Sequence, residues 1–212
     1  MELTTEFVPA IETRTEPIQQ RSTARITALL DAAASLIDER GIDGLTTSEV
    51  AARSESSVGV VYRYFPNIQS LLRGLATRNM ELFSARVFEE LNADPGQWRT
   101  AIHSTIDVFV DLMRNEPGFR ALRFGDVINE RFLEHDITSN TLIAQRFEVL
   151  LVEKYGLIPS PALSFDLEVM VSIADALMHR AFSYERDGDM RFVDRLRTVV
   201  EDLLRGHESI ED

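Results

Sequence analysis

Cysteine is absent from these 212 residues, so neither a disulfide nor a thiolate metal site can form, a composition that fits a reducing cytoplasm. No apolar run approaches the roughly 20 residues that a membrane span requires, so no membrane partner is expected. The first twenty residues, MELTTEFVPAIETRTEPIQQ, lack both the basic start and the apolar stretch of a signal peptide and read as a flexible arm over 1–21. Internal repeats, low-complexity tracts and strand-type alternation are missing as well. So are a phosphate-cradling glycine loop, a G-x-S-x-G elbow and any dense cluster of carboxylates and histidines. The chain therefore reads as a non-enzyme, and no cofactor is expected.

Positive charge is also short, with a formal net charge of −13. Phosphate neutralisation by basic side chains supplies most non-specific DNA affinity, so the total speaks against a nucleic-acid partner. Its distribution does not. From Arg14 through Arg78 eight arginines face seven carboxylates, whereas residues 92–212 hold thirteen basic against twenty-two acidic side chains. A near-neutral, arginine-bearing head on an acidic body suits DNA binding through a few placed contacts, with repulsion elsewhere.

What is present is helical periodicity, with 44% hydrophobic residues, enough for a sizeable core. Ile26, Leu29, Leu30, Ala33, Leu36 and Ile37 form one stripe between Ser22 and Arg40, closed by Gly41. Arg21 and Arg25 stand at its start, placed either to meet phosphate or simply to sit in solvent. Leu45 to Phe65, LTTSEVAARSESSVGVVYRYF, carries two short helix signals around polar Ser54-Glu55-Ser56-Ser57, the outline of a helix-turn-helix. Thr46 or Thr47 can cap its first helix. In the second, Val58, Val61, Tyr62 and Phe65 share the expected buried side, leaving small or lightly polar Ser57, Gly59, Val60 and Arg63 outward, as a helix entering a major groove needs.

A long helix is expected from about Asn67 to Leu91, then another from Gln97 to Asn115. A shorter, irregular stretch carries Phe119, Leu122, Val127 and Ile128, before helices over Glu130–Tyr155, Ala162–Asp187 and Asp189–Arg205. The fold class is all-α with about nine helices: a three-helix DNA-binding domain over 22–66 and a larger helical domain over 67–212. The last two helices should form a hairpin whose wide apolar arcs pair with a second copy in a two-fold homodimer.

The stretch from residue 22 to about residue 75 resembles the N-terminal domain of TetR-family (TetR/AcrR) transcriptional regulators, with Thr47, Val50, Ala51, Ser57, Gly59, Tyr62, Tyr64, Phe65, Asn67 and Leu71 in register. The resemblance implies an all-helical homodimer that binds a palindromic double-stranded DNA operator and is released by a small effector held in the larger domain. It places Ser57, Gly59 and Val60 at base edges, Arg63 at a base edge or a phosphate, and Thr47, Tyr62 and Tyr64 on backbone phosphates. Glu55 stands at the family's turn glycine, Ser56 at its valine and Ile68 at its lysine. These departures imply modest affinity and a shallow salt dependence, and they leave open a dimeric ligand- or protein-binding module with weakened DNA binding.

Phe109, Met113, Phe119, Phe124, Phe147, Met170 and Phe182 are the candidate cavity residues, favouring an apolar or flat hydrophobic effector, with Trp98, His103, Arg123, His135 and Tyr184 as polar handles. Asp175 and His179, four residues apart, share a helical face, a spacing that suits a hydrogen bond better than a metal lacking a third ligand.

Overall fold

The computed structural model describes residues 16–93, 96–122 and 139–208. Among these residues the chain is all-helical, with eight α-helices and two short 3-10 turns: α1 Glu16–Arg40, α2 Thr47–Arg53, α3 Val58–Tyr64, α4 Ile68–Ala93, α5 Trp98–Asn115, α6 Ser139–Tyr155, α7 Pro161–Phe182 and α8 Met190–Leu204. The irregular stretch expected near 119–128 is described only as far as Leu122, where it is a turn. The expected start of α6 near Glu130 lies outside the described residues.

Two boundaries differ from those expected. α1 begins at Glu16, inside the stretch expected to be an arm. Pro17 lies in its first turn, where a missing N–H costs no helical bond, so this proline opens the helix and does not mark irregular chain. α7 ends at Phe182, five residues before Asp187. Gly188 packs so closely on the Phe182 ring that a Cβ would lie 2.6 Å from it, and the Asp189 N–H donates to the Ala181 carbonyl at 2.9 Å. The connection folds back over the end of α7, and the last two helices form the expected hairpin.

Asp189 then caps α8, accepting from the Arg191 backbone N–H at 3.1 Å and from its guanidinium at 2.9 and 2.6 Å. The Arg191 side-chain bonds hold this carboxyl at about 2, below its usual 3.8. A depressed carboxyl pKa stabilises the fold above the unfolded value and loses that contribution as pH falls through the folded one. Backbone amides of the α7–α8 connection should therefore lose hydrogen-exchange protection as pH falls from 3.8 towards 2, and Asp189→Ala should abolish that transition.

Two cores share α4. Its first half gives Leu71, Leu75 and Ala76 to the head core with Leu29, Leu36, Val50 and Val61, and its second half gives Phe83, Val87 and Leu91 to the body core. Asn79 is buried at the seam, and its Oδ1 has no hydrogen-bond partner among the described residues. A second stitch is the turn after α5, where Phe119 joins the body core, Leu122 joins the head core, and Arg120 reaches Asp38 on α1 at 3.2 Å. α5 carries a charged ridge with one member per turn. Arg99 meets Glu208 at 2.5 Å, His103 lies 2.6 Å from Glu201, Asp107 pairs with Arg197, and Asp111 with Arg86 at 2.5 Å.

α7 packs between α6 and α8. α7 carries the expected wide apolar arc and leaves Phe165 65% exposed. α8 buries Val193, Leu196, Val200 and Leu204, while Arg191, Asp194, Arg195, Thr198 and Asp202 are exposed. Phe192, Val199 and Leu203, beside that buried line, are half-buried.

Candidate DNA-binding surface and effector cavity

Local hydrogen bonding builds the helix-turn-helix. Thr46 is the N-cap of α2: its Oγ1 accepts from the Glu49 N–H at 3.2 Å and donates to the Glu49 carboxylate at 2.8 Å, which also takes Arg40 at 2.7 Å. Arg53 clamps Glu39 through two bonds of 2.8 Å, fixing α2 on α1. Ser57 caps α3, accepting from the Val60 N–H at 3.3 Å. At the start of α4, Asn67 Oδ1 accepts from the Ser70 N–H at 2.8 Å while Ser70 Oγ accepts from the Asn67 N–H at 3.2 Å, a reciprocal capping box.

The three departures from the family pattern resolve differently. Glu55 is the single non-glycine residue at positive φ, 50°, among the described residues, so the turn keeps its left-handed geometry without glycine. That conformation costs an L-residue roughly 1–2 kcal/mol. Glu55→Gly should raise stability by about 1 kcal/mol, or roughly 2–4 °C in Tm for a chain of this size, and remove a carboxylate from beside the candidate DNA residues. Thermal melts and DNA titrations of the single variant test this. Ser56 is recruited by α1, because Arg25 Nη1 donates to its Oγ at 3.0 Å. Ile68 is half-buried against the head core, so its side chain contributes packing where a lysine would contribute charge.

All seven candidate DNA residues lie on α3, its cap or the start of α2. Thr47 Oγ1 donates to the Tyr62 hydroxyl at 3.3 Å, and Ser22 Oγ lies 3.5 Å from the Tyr64 hydroxyl. Ser57, Gly59, Tyr62 and Arg63 are exposed, and Val60 and Tyr64 are half-buried. Val61 and Phe65 are buried as expected, but Val58 and Tyr62 are not: Tyr62 is 51% exposed. In this seven-residue helix the line through Val61 and Tyr64 faces the core, which turns Tyr62 towards the outer face with Gly59 and Arg63. Arg25, through Ser56, and Ser22, through Tyr64, join this face from α1.

The body holds a cavity of about 90 Å³. Its walls come from α4 (Met80, Phe83), α5 (Ile102, Thr105, Ile106, Phe109), α6 (Asn140, Ile143, Phe147), α7 (Met170, Val171, Ala174, Asp175, Met178) and α8 (Leu196, Val200). Of the candidates, Phe109, Phe147 and Met170 line it. Met113, Phe119 and Phe182 are buried elsewhere in the core, Phe119 standing edge-on behind Phe109 at 5.4 Å and Phe182 lying under Gly188. Phe124, Arg123 and His135 lie outside the described residues. The remaining polar handles do not reach the cavity: Trp98 Nε1 donates to Glu208 at 2.8 Å, His103 faces Glu201, and Tyr184 is exposed beneath Arg180. Asp175 lines the cavity while His179 is exposed, and no group of three metal-ligating side chains occurs among the described residues.

A capped helix-turn-helix on a larger helical body with an apolar cavity is the build of a DNA-binding transcriptional regulator. Residues 29–75 match the family model of bacterial regulatory proteins, tetR family, and residues 96–207 match the model described as Tetracyclin repressor-like, C-terminal domain; the chain belongs to the TetR family. Regulators of this family bind DNA and form dimers. A TetR-family transcriptional regulator from Streptomyces coelicolor is similar over 87% of this chain and 99% of its own, with 33% identity and a TM-score of 0.73. The fatty acid degradation regulator FadR from Bacillus halodurans shares the fold at 14% identity, with a TM-score of 0.64 over 85% of this chain and 94% of that one. The nucleoid occlusion factor SlmA from Haemophilus influenzae is 26% identical over 120 residues, 57% of this chain. The chain spans about half, 52%, of that curated relative's length. No helix among the described residues is long and apolar enough to cross a membrane.

Proposed function

We propose that this chain is a ligand-responsive repressor whose homodimer holds a palindromic operator through Thr47, Ser57, Gly59, Val60, Tyr62, Arg63 and Tyr64 and is released when a small, largely apolar effector enters the body cavity. One observation carries the reading: α4 serves both sites. Met80 and Phe83 on α4 form cavity wall, and Gly74, less than two turns earlier, lies under Phe65 at the end of the recognition helix, so close that a Cβ would stand 2.8 Å from the Phe65 ring. A ligand that displaces Met80 or Phe83 tilts the helix on which α3 is seated, and two packed arrangements of such a helix give a population shift without any longer-range path. The exposed row of α7 around Phe165, flanked by α8, is the surface proposed to meet the second copy.

The test is a salt-titrated binding assay on DNA upstream of the chain's own gene and its neighbours. With Arg21, Arg25 and Arg63 near phosphate in each of two heads, the slope of log affinity against log salt should be about −5, at roughly 0.9 per contact. Adding the cognate effector should release the DNA. Failure to bind any upstream palindrome at low salt overturns the repressor reading and favours a binding module without DNA function.

A further inference from the structure

α3 carries three valines, and the fold uses only one of them fully. Val61 is completely buried in the head core. Val58, three residues earlier and so about 60° round the helix, shares that inward side and is 37% exposed at the first position of α3. Val60 is placed differently. It stands about 100° from Val61 and about 60° from Arg63, the one charged side chain of α3, and is half-buried without packing on the head core among the described residues. Its β-branched side chain is also a poorer helix former than alanine. An isopropyl group that neither the core nor helix propensity favours is suited to an apolar partner outside the chain. The neighbouring hydroxyls already have work within the head: Ser57 Oγ accepts from the Val60 N–H at 3.3 Å, and Thr47 donates to the Tyr62 hydroxyl at 3.3 Å.

Resting on the DNA-binding reading above, we infer that Val60 is a specificity-determining residue that reads a thymine, through van der Waals contact between its isopropyl group and the C5 methyl of that base. This methyl is the apolar group that base pairs present in the major groove. Cytosine offers a donor there and the purines offer acceptors, none of which an isopropyl group can pair, so each would lose water without compensation. Gly59 makes the approach possible, because the backbone beside Val60 is bare and a Cβ there would meet nothing nearer than Ser57 Oγ at 3.9 Å. A palindromic operator should then hold one such thymine in each half-site.

The test starts from DNA selected out of a random-sequence pool by the full chain, in which each thymine is replaced in turn by uracil, a change that deletes only the methyl. One thymine per half-site should respond, its loss weakening binding about fourfold, the scale of one methyl group removed from water, and roughly fifteenfold when both half-sites are changed. Val60→Ala should weaken binding to the thymine operator by a similar factor and bind the thymine and uracil forms equally, since the two changes remove the same contact. Val58→Ala should keep the full uracil penalty. A thermal melt of Val60→Ala at or above that of the unsubstituted chain shows that the fold is intact. Uniform tolerance of uracil overturns the inference, as does a penalty that survives Val60→Ala or one that disappears in Val58→Ala. In each of these cases DNA binding itself stands. If the chain selects no sequence from the pool, the DNA-binding reading and the inference fall together.

Discussion

Gly118→Ala is expected to lower stability by about 2–5 kcal/mol, a fall of roughly 5–15 °C in Tm, and to loosen the head from the body. Gly118 follows α5 with φ 74°, and a Cβ there would stand 2.9 Å from the Ala34 Cα, 3.1 Å from its Cβ and 3.3 Å from its carbonyl oxygen. Two of those atoms are α1 backbone, which no rotamer change can move. The same turn holds Phe119 in the body core, Leu122 in the head core and the Arg120–Asp38 contact, so pushing it off α1 strains all three. Gly156→Ala is the matching control. Gly156 has nearly the same φ, 69°, and an added Cβ would meet nothing within 4 Å, so it should show only the roughly 1–2 kcal/mol of backbone strain. The difference between the two melts measures the α1 contact itself. Equal losses would mean that the turn yields freely and that α4 alone joins the two cores.

That contact also marks how far the sequence can be read. The stripe from Leu29 to Ile37 has enough points to fix both helix and phase, and those residues are buried. α3 has only seven residues, too few for its apolar positions to choose between two nearby phases. Spacing alone puts Val58 and Tyr62 inward, whereas Val61 and Tyr64 set the buried line. The charged ridge Arg99, His103, Asp107 and Asp111 is visible as a polar row at four-residue spacing, but its partners on α4, α8 and beyond depend on how helices distant in sequence dock.

The cavity is the least legible feature for the same reason. Phe109, Phe147 and Met170 share their helical spacing with Met113, Phe119 and Phe182, and nothing local separates a side chain that faces a void from one that fills it. Five helices must be placed before that distinction exists. The turn departures are legible as chemistry without their consequence: Ser56 reads as a polar residue at the family's valine, and only the position of α1 shows it holding Arg25.

Gly59→Ala should separate folding from function. Gly59 lies in ordinary helical backbone within α3, is exposed, and a Cβ there would meet nothing nearer than Ser57 Oγ at 3.9 Å. By helix propensity alone, alanine should stabilise the isolated protein by roughly 0.5–1 kcal/mol. No contact among the described residues opposes that gain, so the fold gives no reason for glycine at this position. The reason must lie outside it, in a surface that has to come within van der Waals distance of the α3 backbone. If that surface is the major groove, the added methyl displaces the helix from the base edges beside Ser57 and Val60, and operator affinity should fall about tenfold or more, at roughly 1–3 kcal/mol for a disturbed base contact. The salt slope should stay unchanged if Arg21, Arg25 and Arg63 are the phosphate contacts proposed above, because the substitution removes no charge. Arg63→Ala should do the reverse if it is a phosphate contact, lowering affinity on all sequences and making the slope shallower. A Gly59→Ala protein that melts higher and binds its operator undiminished would place the DNA-reading face somewhere other than the Gly59 side of α3.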